Sequence, residues 1–347
     1  MNNTIRSFFP VLSSSNYLNT AYVGPMSTEL FDFRNKLEKE YLKDADSLKI
    51  DSSKRINEYR ETISEFVGSS QENTFFNSNF STAFRIILDF IPKNSRVLSL
   101  KNDYNSLVDG INERDFLVDY ISITSDFEII IKKQLEKKKY DVLALSVVQF
   151  LSGLKVDFSI LEEIRNKHPD LMIIGDATQF MGSDFFNFND SPFDVIVGSG
   201  YKWMMAGFGN AYLSVSSNFL NLTSSNSQKI YDKFYAGHIN LLGAASLDFA
   251  IKFLQKNNYD QLISYKNKLG SYLKDELKKL NLLDPIIEKR ENHSSIFVIR
   301  GDQKLYNKLR SYGIKCSLKI SGIRISVHFY NIESEVDNLI EVLKKLN

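Results

Sequence analysis

Short apolar runs alternate with amphipathic helical patterns over residues 69–216. The apolar runs are Thr74–Phe76, Arg96–Leu100, Tyr140–Val148, Leu171–Asp176 and Asp194–Gly198. Between them, apolar residues recur at helical spacing over Ser81–Phe90, Tyr104–Arg114 and Phe158–Lys167. Such an alternation predicts a mostly parallel sheet covered by helices on both faces. The runs are apolar almost throughout, as expected of strands that are buried on both sides.

A different pattern follows residue 240. Two long helices are predicted first, Leu241–Lys256 and Tyr259–Leu282, each apolar at helical spacing and rich in lysine elsewhere. Shorter elements come next: strand-like runs at Ser294–Arg300, Ile314–Ile320 and Ile323–Phe329, and helices at Lys304–Tyr312 and Glu333–Lys345. We therefore predict an α/β protein with a large domain over residues 28–256 and a smaller α+β domain over 257–347. Residues 1–27 are predicted to pack across both.

Composition excludes several classes of partner. The chain has 347 residues, and its 43 Lys and Arg nearly balance its 42 Asp and Glu, for a net charge of +1. This balance gives no electrostatic reason to expect nucleic acid or an anionic membrane as partner. No apolar run is long enough to span a bilayer, and the N-terminus lacks the features of a secretory peptide. A cytoplasmic protein is the expectation.

The cysteine and histidine residues give no sign of a metal site. Cys316 is the single cysteine, which rules out an internal disulfide and any multi-cysteine metal site. His293 and His328 are isolated and show no metal-ligand spacing. We expect no bound metal.

The informative polar residues follow two of the predicted strands. Leu171–Gly175 runs into Asp176, and Asp194–Val197 runs into the segment that contains Lys202. Ligands of open α/β sheets bind beyond the carboxyl ends of the strands, and the two positions are about one crossover connection apart. A buried carboxylate needs a cationic partner, which a protonated pyridine nitrogen can supply. A desolvated lysine amine can form a Schiff base with an aldehyde. Either residue alone has an ordinary reading, Asp176 as a helix cap and Lys202 as a surface lysine.

Three stretches carry a family resemblance: Gly175–Gln179, Ser199–Lys202 and Gly207–Gly209. Together they resemble the class V aminotransferase family of fold-type-I pyridoxal-phosphate enzymes, which includes cysteine desulfurases and kynureninases. Tyr17–Pro25 and Arg324–Asn331 are similar to the family's N-terminal segment and C-terminal substrate-binding strand. The resemblance implies pyridoxal 5'-phosphate as cofactor, a seven-stranded-type sheet between helices, and a homodimer with active sites at the subunit boundary.

The resemblance also implies roles for individual residues around the cofactor ring. Lys202 matches the Schiff-base lysine, which also moves the proton once substrate has displaced it. Asp176 matches the acid that keeps the pyridine nitrogen protonated, and Gln179 the residue that hydrogen-bonds the phenolic oxygen. Tyr104 stands where relatives place an aromatic residue or a histidine on the ring, although a plain core role is the alternative.

Phosphate and substrate contacts are implied at further positions. Asn79, Phe80 and Ser81 open a helix, whose free amides suit a phosphate. Arg324 matches the arginine that binds a substrate carboxylate through two parallel hydrogen bonds, with a structural ion pair as the alternative. The remaining predicted residues are Ser199 and Tyr201 for the phosphate, Ala21 and Tyr22 for the substrate, and His238 where relatives often have a threonine that reaches the neighbouring subunit's phosphate.

Three reactions or roles remain open. Our leading hypothesis is an aminotransferase that acts on an amino acid or related small amine, with a 2-oxo acid as acceptor, because transamination needs only the lysine and the arginine. A lyase or epimerase with the same cofactor is the nearest alternative, and a catalytically inactive binding protein with this fold is the third. Desulfuration through an enzyme persulfide is disfavoured, since Cys316 lies in a strand-like run and buried strand thiols are usually inert.

Overall fold

The computed structural model describes residues 5–346. Twelve strands lie in this range: β1 (Asn16–Tyr17), β2 (Thr74–Asn77), β3 (Arg96–Lys101), β4 (Leu117–Ser122), β5 (Val142–Ser146), β6 (Met172–Asp176), β7 (Val195–Ser199), β8 (Ala211–Val215), β9 (Ile296–Ile299), β10 (Ile314–Lys315), β11 (Ser317–Lys319) and β12 (Gly322–Ser326). Seven of them form the central sheet in the order β2-β8-β7-β6-β5-β3-β4. Strand β8 runs antiparallel to both neighbours, whereas β7, β6, β5, β3 and β4 pair in parallel. The predicted fold, a mostly parallel seven-stranded sheet, is confirmed.

Helices occupy most of the remaining chain. Those described are α1 (Val11–Ser14), α2 (Thr28–Lys43), α3 (Ala45–Val67), α4 (Phe80–Leu88), α5 (Asn105–Asn112), α6 (Phe127–Lys137), α7 (Phe158–Lys167), α8 (Ser217–Leu222), α9 (Ser227–Phe234), α10 (Leu241–Lys256), α11 (Tyr259–Lys279), α12 (Pro285–Glu288), α13 (Gln303–Ser311) and α14 (Glu333–Leu346). The long helices α2 and α3 and strand β4 were not predicted from the sequence pattern.

The two faces of the sheet belong to different cores because strand side chains alternate between faces. In β5, Leu143 packs into a core with helices α3, α6, α7 and α10. Its neighbours Val142 and Ala144 pack on the other face, against α4, α5, α8 and α9. The sheet is therefore sandwiched between two helical layers, which leaves the strand ends as the accessible edges.

The C-terminal part builds its own small sheet and core. Strands β11, β12 and β9 form an antiparallel sheet in that order, and helices α11, α13 and α14 pack with it around a separate hydrophobic cluster. The division into residues 28–256 and 257–347 stays a prediction. The N-terminal segment reaches this sheet through a parallel bridge between Asn19 and Ser326 of β12, and its strand β1 pairs in parallel with β10 in a separate two-stranded sheet.

One strand prediction was wrong. Ile314–Ile320 does not form a single strand, because β10 pairs with the N-terminal segment while β11 turns to pair with β12. Cys316 lies at the break between them.

Two further features concern membranes and metals. Across residues 5–346, no helix is both long and apolar enough to cross a membrane. Within the same range, no three His, Cys, Asp or Glu side chains come together as a group that could hold a metal ion.

Candidate active site

Asp176 and Lys202 meet at the carboxyl edge of the central sheet. Asp176 is the last residue of β6, and Lys202 follows the end of β7 by three residues. The two strands are parallel neighbours, with Asp176 opposite Val197. Both side chains are buried, at 5% and 8% exposure. The structure therefore brings together the acid and the lysine that the sequence pattern singled out.

Burial favours the uncharged form of both side chains. The pKa of Lys202 is lowered to about 8, mainly by desolvation and also by the positive charges of Arg324 and Lys319, against the opposing effect of Asp176. Desolvation likewise raises the pKa of Asp176 to about 6, although hydrogen bonds from Thr178 and the charge of Lys202 oppose the shift. A lysine with a lowered pKa holds more of its amine unprotonated near neutral pH, and only that form is a nucleophile.

Tyrosine rings flank the lysine amine. The Nζ atom of Lys202 lies 5.9 Å from the ring centroid of Tyr104 and 5.4 Å from that of Tyr201. Tyr104 is half-buried before the first turn of α5, and its ring makes edge contacts with Phe80 and Phe150. Burial raises the pKa of Tyr201 to about 12, which keeps its hydroxyl protonated as a hydrogen-bond donor. Aromatic rings therefore line the site next to the lysine amine.

Gln179 is held by two hydrogen bonds from opposite directions. Its Oε1 accepts from the indole nitrogen of Trp203 at 2.8 Å, and its Nε2 donates to the backbone carbonyl of Ala21 at 2.9 Å. One N–H of the Gln179 amide therefore serves the N-terminal segment, and the second is available for a ligand. The same contact places the buried Ala21 beside Gln179, and its role in substrate binding stays a prediction.

The predicted phosphate cradle is partly occupied by the protein's own oxygen atoms. Asn79 caps helix α4, where its Oδ1 accepts from the amide of Thr82 at 2.8 Å. The amide of Phe80 donates to the Oγ of Ser199 at 3.1 Å. Ser81 Oγ accepts a hydrogen bond from Ser106. These residues do lie together at the start of α4, but four of their groups already have a hydrogen-bond partner within the protein.

Arg324 is buried with part of its guanidinium unpaired. Its Nη1 donates to the carbonyl of Phe150, while its Nε has no hydrogen-bond partner among the described residues. The side chain is 3% exposed, and burial lowers its pKa to about 10. The structural ion pair weighed as its alternative role is not present within residues 5–346. An unsatisfied buried donor is costly, so this geometry suits a carboxylate ligand.

Tyr22 and His238 lie farther out. Tyr22 is 57% exposed, and Lys319 Nζ lies 5.4 Å above its ring. His238 is exposed in a surface groove of about 610 Å³ beside α2 and α3, with its Nδ1 2.9 Å from Lys49 Nζ. The structure does not join His238 to the cluster around Lys202. A contact from His238 to a neighbouring subunit stays a prediction, as does the homodimer.

Two buried residues behind the site escaped the sequence analysis. The carboxylate of Asp103 accepts from the amides of Tyr104 and Ser146, both at 2.8 Å, and from the Ser146 hydroxyl. It thereby fixes the loop that carries Tyr104. His328 donates from Nε2 to the carbonyl of Trp203 at 2.9 Å, which holds the loop that carries Lys202. Neither residue has a sequence signal, because each acts through a partner far away in the chain.

Comparison with protein families settles the chain's relationship. The model of the family described as aminotransferase class-V matches residues 29–339. The chain belongs to this family. Its members use pyridoxal phosphate, so the cofactor predicted from the sequence is the cofactor of the family.

Curated relatives of this class-V protein carry one shared name. A "Probable cysteine desulfurase" of Ureaplasma parvum is 22% identical over 335 residues, which cover 84% of this chain and 82% of the relative. A "Probable cysteine desulfurase" of Borreliella burgdorferi is 24% identical over 349 residues, covering 86% and 82%.

Solved structures share the fold at lower identity. The cysteine desulfurase from Thermococcus onnurineus has a TM-score of 0.82 at 15% identity and covers 99% of this chain and 97% of that one. The cystine C–S lyase C-DES, solved with its reaction product cysteine persulfide, has a TM-score of 0.87 at 14% identity, with 96% and 98% covered. The fold of this class-V chain is therefore that of fold-type-I pyridoxal-phosphate enzymes.

The only cysteine of this class-V chain is poorly suited to carry sulfur. Cys316 is 2% exposed and packs in the C-terminal core. Burial raises the pKa of its thiol to about 11, so the reactive thiolate is scarce at neutral pH.

Proposed function

We propose that this protein is a pyridoxal-phosphate-dependent lyase that cleaves the carbon–sulfur bond of a cysteine-type amino acid by elimination, with Lys202 as the residue that binds the cofactor. The observation that carries the proposal is the buried pair of Lys202 and Asp176, which share one strand-end site with the unpaired Nε of Arg324. That set supplies an amine, an acid and a carboxylate-binding group.

The residues present fit the cofactor on chemical grounds. Asp176 is buried with a raised pKa, so a cation such as a protonated pyridine nitrogen would favour its charged form. The amine of Lys202 has a lowered pKa and can attack an aldehyde. Tyr104 offers a ring beside this amine. When bound, pyridoxal phosphate supplies an electron sink for the bond broken at the substrate's α-carbon.

The chain's own groups perform the remaining tasks. Arg324 binds the α-carboxylate through its Nε and an Nη, which orients the amino acid. The amine of Lys202 would be the base that takes up the α-proton of the substrate. The bond between Cβ and sulfur then breaks, and sulfur leaves with the electron pair. With one water consumed, L-cysteine gives pyruvate, ammonia and hydrogen sulfide, and L-cystine gives pyruvate, ammonia and cysteine persulfide.

Elimination fits this chain better than transfer of sulfur to the enzyme. A transfer would need a thiolate at the site, and Cys316 is buried in the C-terminal core with a raised pKa. In elimination the sulfur leaves as part of the substrate's own leaving group, so no enzyme thiol has to accept it. Transamination with a 2-oxo acid acceptor stays the second candidate because Lys202 and Arg324 would suffice for it, although the names of the curated relatives do not support it.

The cofactor assignment is tested by borohydride reduction of the purified protein followed by peptide mass analysis. We expect the reduced cofactor on the peptide that contains Lys202 and no adduct in Lys202→Ala. Lys266 provides the internal control: it is also buried, burial also lowers its pKa to about 8, and its Nζ donates to the carbonyl of Ser183. An adduct on Lys266, or a protein that takes up no cofactor, would contradict the assignment.

The reaction is tested with L-cysteine and L-cystine as substrates. We expect pyruvate and ammonia without any added 2-oxo acid, and equal turnover by Cys316→Ala. Alanine as the carbon product, lost in Cys316→Ala, would instead establish sulfur transfer to the enzyme. A strict requirement for a 2-oxo acid would restore the aminotransferase hypothesis.

A further inference from the structure

Lys319 lies on the same face of the C-terminal sheet as Arg324. In the β11–β12 hairpin, Ser317 is opposite Arg324 and Lys319 is opposite Gly322. Residues two apart in a strand point to one face, and directly opposed residues share that face. Lys319 is therefore a diagonal neighbour of Arg324, at a separation that long side chains can bridge.

The Lys319 side chain is turned toward the substrate side of the site. It is half-buried, and its Nζ lies 5.4 Å from the ring centroid of Tyr22, one of the residues predicted to contact substrate. Its charge contributes to the lowered pKa of Lys202, and the charge of Arg324 in turn lowers the pKa of Lys319. These effects require the three cations to lie close together.

The proposed reaction gives a task to two of the three cations at this site. Lys202 and Arg324 have roles in it, and Lys319 has none. In the proposed function, Lys202 and Asp176 would hold the cofactor and Arg324 would bind the α-carboxylate. Within the described residues, no salt bridge uses Lys319. Lys319 is therefore a half-buried cation beside Tyr22 with no ion-pair partner among residues 5–346.

We infer that Lys319 binds a second anionic group, at the far end of the substrate's side chain. The inference rests on the proposed function and refines its substrate class to amino acids whose side chain ends in a carboxylate or sulfur oxyanion. L-cystine meets this description through its second carboxylate, whereas L-cysteine does not. The competing role for Lys319 is to cover the ring of Tyr22 with its stem, which would give no preference for dianions.

Binding of unreactive acids to the cofactor-loaded protein separates these roles. Glutarate and pentanoate have five carbons each and differ in the second carboxylate, and neither has an amine. By calorimetry we expect glutarate to bind about tenfold more tightly than pentanoate, as one charge-assisted hydrogen bond provides. Lys319→Gln abolishes this ratio and Lys319→Arg retains it. Lys304→Gln, which removes an exposed charge on helix α13, leaves it unchanged.

Turnover provides the second readout. In Lys319→Gln, the ratio of kcat/KM for L-cystine to kcat/KM for L-cysteine falls about tenfold. The inference is overturned if Lys319→Gln still binds glutarate more tightly than pentanoate. It is also overturned if kcat/KM falls equally for L-cystine and L-cysteine. If the protein shows no elimination activity but glutarate binding still depends on Lys319, the proposed function fails and the anion site stands.

Discussion

Asp176 makes the stability of the cofactor-free protein depend on pH. Burial raises the pKa of this carboxyl from 3.8 to about 6, so the folded protein holds the proton more tightly than the unfolded chain. The resulting stabilisation is complete below pH 3.8 and is lost as the pH rises through about 6. A shift of about two pH units corresponds to a loss of at most about 3 kcal/mol, at about 1.4 kcal/mol per unit.

Urea unfolding of the apoprotein between pH 4 and about 7.5 measures this effect, with Asp176→Asn as the comparison. Asparagine keeps an oxygen for the Thr178 amide, which donates to Asp176 Oδ1 at 2.9 Å, but it cannot titrate. Lys202 remains largely protonated over this range because its pKa is lowered only to about 8. We therefore expect the unfolding free energy of wild type minus variant to fall by about 2 kcal/mol as the pH rises.

Pyridoxal phosphate should remove this dependence, because a cation beside Asp176 favours the carboxylate. With cofactor bound, the unfolding free energies of the wild type and of Asp176→Asn should change in parallel between about pH 5 and 7. Parallel curves for the two apoproteins would refute the reasoning, since they would mean that the Asp176 carboxyl is as well solvated in the fold as in the unfolded chain.

Three substitutions test other parts of the structure. Cys316→Ala should keep wild-type pyruvate production and lose about 1 kcal/mol of stability, as a small buried deletion does; a large loss of turnover would mean that the thiol takes part. Gly198→Ala should cost about 1–3 kcal/mol in urea unfolding, because its new Cβ would lie 2.3 Å from the hydroxyl of Tyr212. Glu128→Ala should cost about 3–5 kcal/mol, since it removes the carboxylate that accepts hydrogen bonds of 2.7 and 2.9 Å from Arg290 and leaves that cation with only the backbone carbonyls of Ser125 and Lys155 as partners; a neutral effect would show that this ion pair is solvated.

The centre of the site could be predicted because it depends on local order in the chain. Buried parallel strands are continuous apolar runs, so the end of β6 at Asp176 and the end of β7 before Lys202 are visible in the sequence. The rule that ligands bind at the carboxyl edge then brings the two residues together without any knowledge of distant contacts.

Elements with little buried surface were missed. Helix α2 buries only Leu30 and Leu37 along its length, so its pattern hardly differs from that of an exposed loop. Strand β4 is the edge of the sheet and has no fully buried residue, which removes the apolar run that marks a strand. Apolar periodicity in a sequence arises from buried positions. These elements have few buried positions, so the periodicity is weak.

Lys319 could not be identified because its position depends on strand register. A lysine near the end of a short strand usually lies in solvent. Only the pairing of Ser317 with Arg324 puts Lys319 on the face of the site. Sequence cannot supply this register, particularly where Ile314–Ile320 divides between two sheets.

Hydrogen bonds from three distant parts of the chain hold the loop that carries Lys202. The N-terminal segment contacts Gln179 through the Ala21 carbonyl, Gln179 accepts from the indole of Trp203, and the Trp203 carbonyl accepts from His328. Since a carbonyl oxygen can only accept, His328 must carry its proton on Nε2. Burial lowers the pKa of His328 to about 3, so this tautomer remains neutral throughout the physiological range.

The support of the site is thus insensitive to pH, whereas its centre is not. Near neutral pH, Arg324 with its pKa lowered to about 10, Tyr201 with its pKa raised to about 12 and His328 each keep one protonation state. Asp176 at about 6 and Lys202 at about 8 lie on either side of neutrality. A proton can therefore move onto or off these two groups without altering the hydrogen bonds that position them. Such a separation is what an enzyme needs when a lysine must both bind a cofactor and transfer a proton.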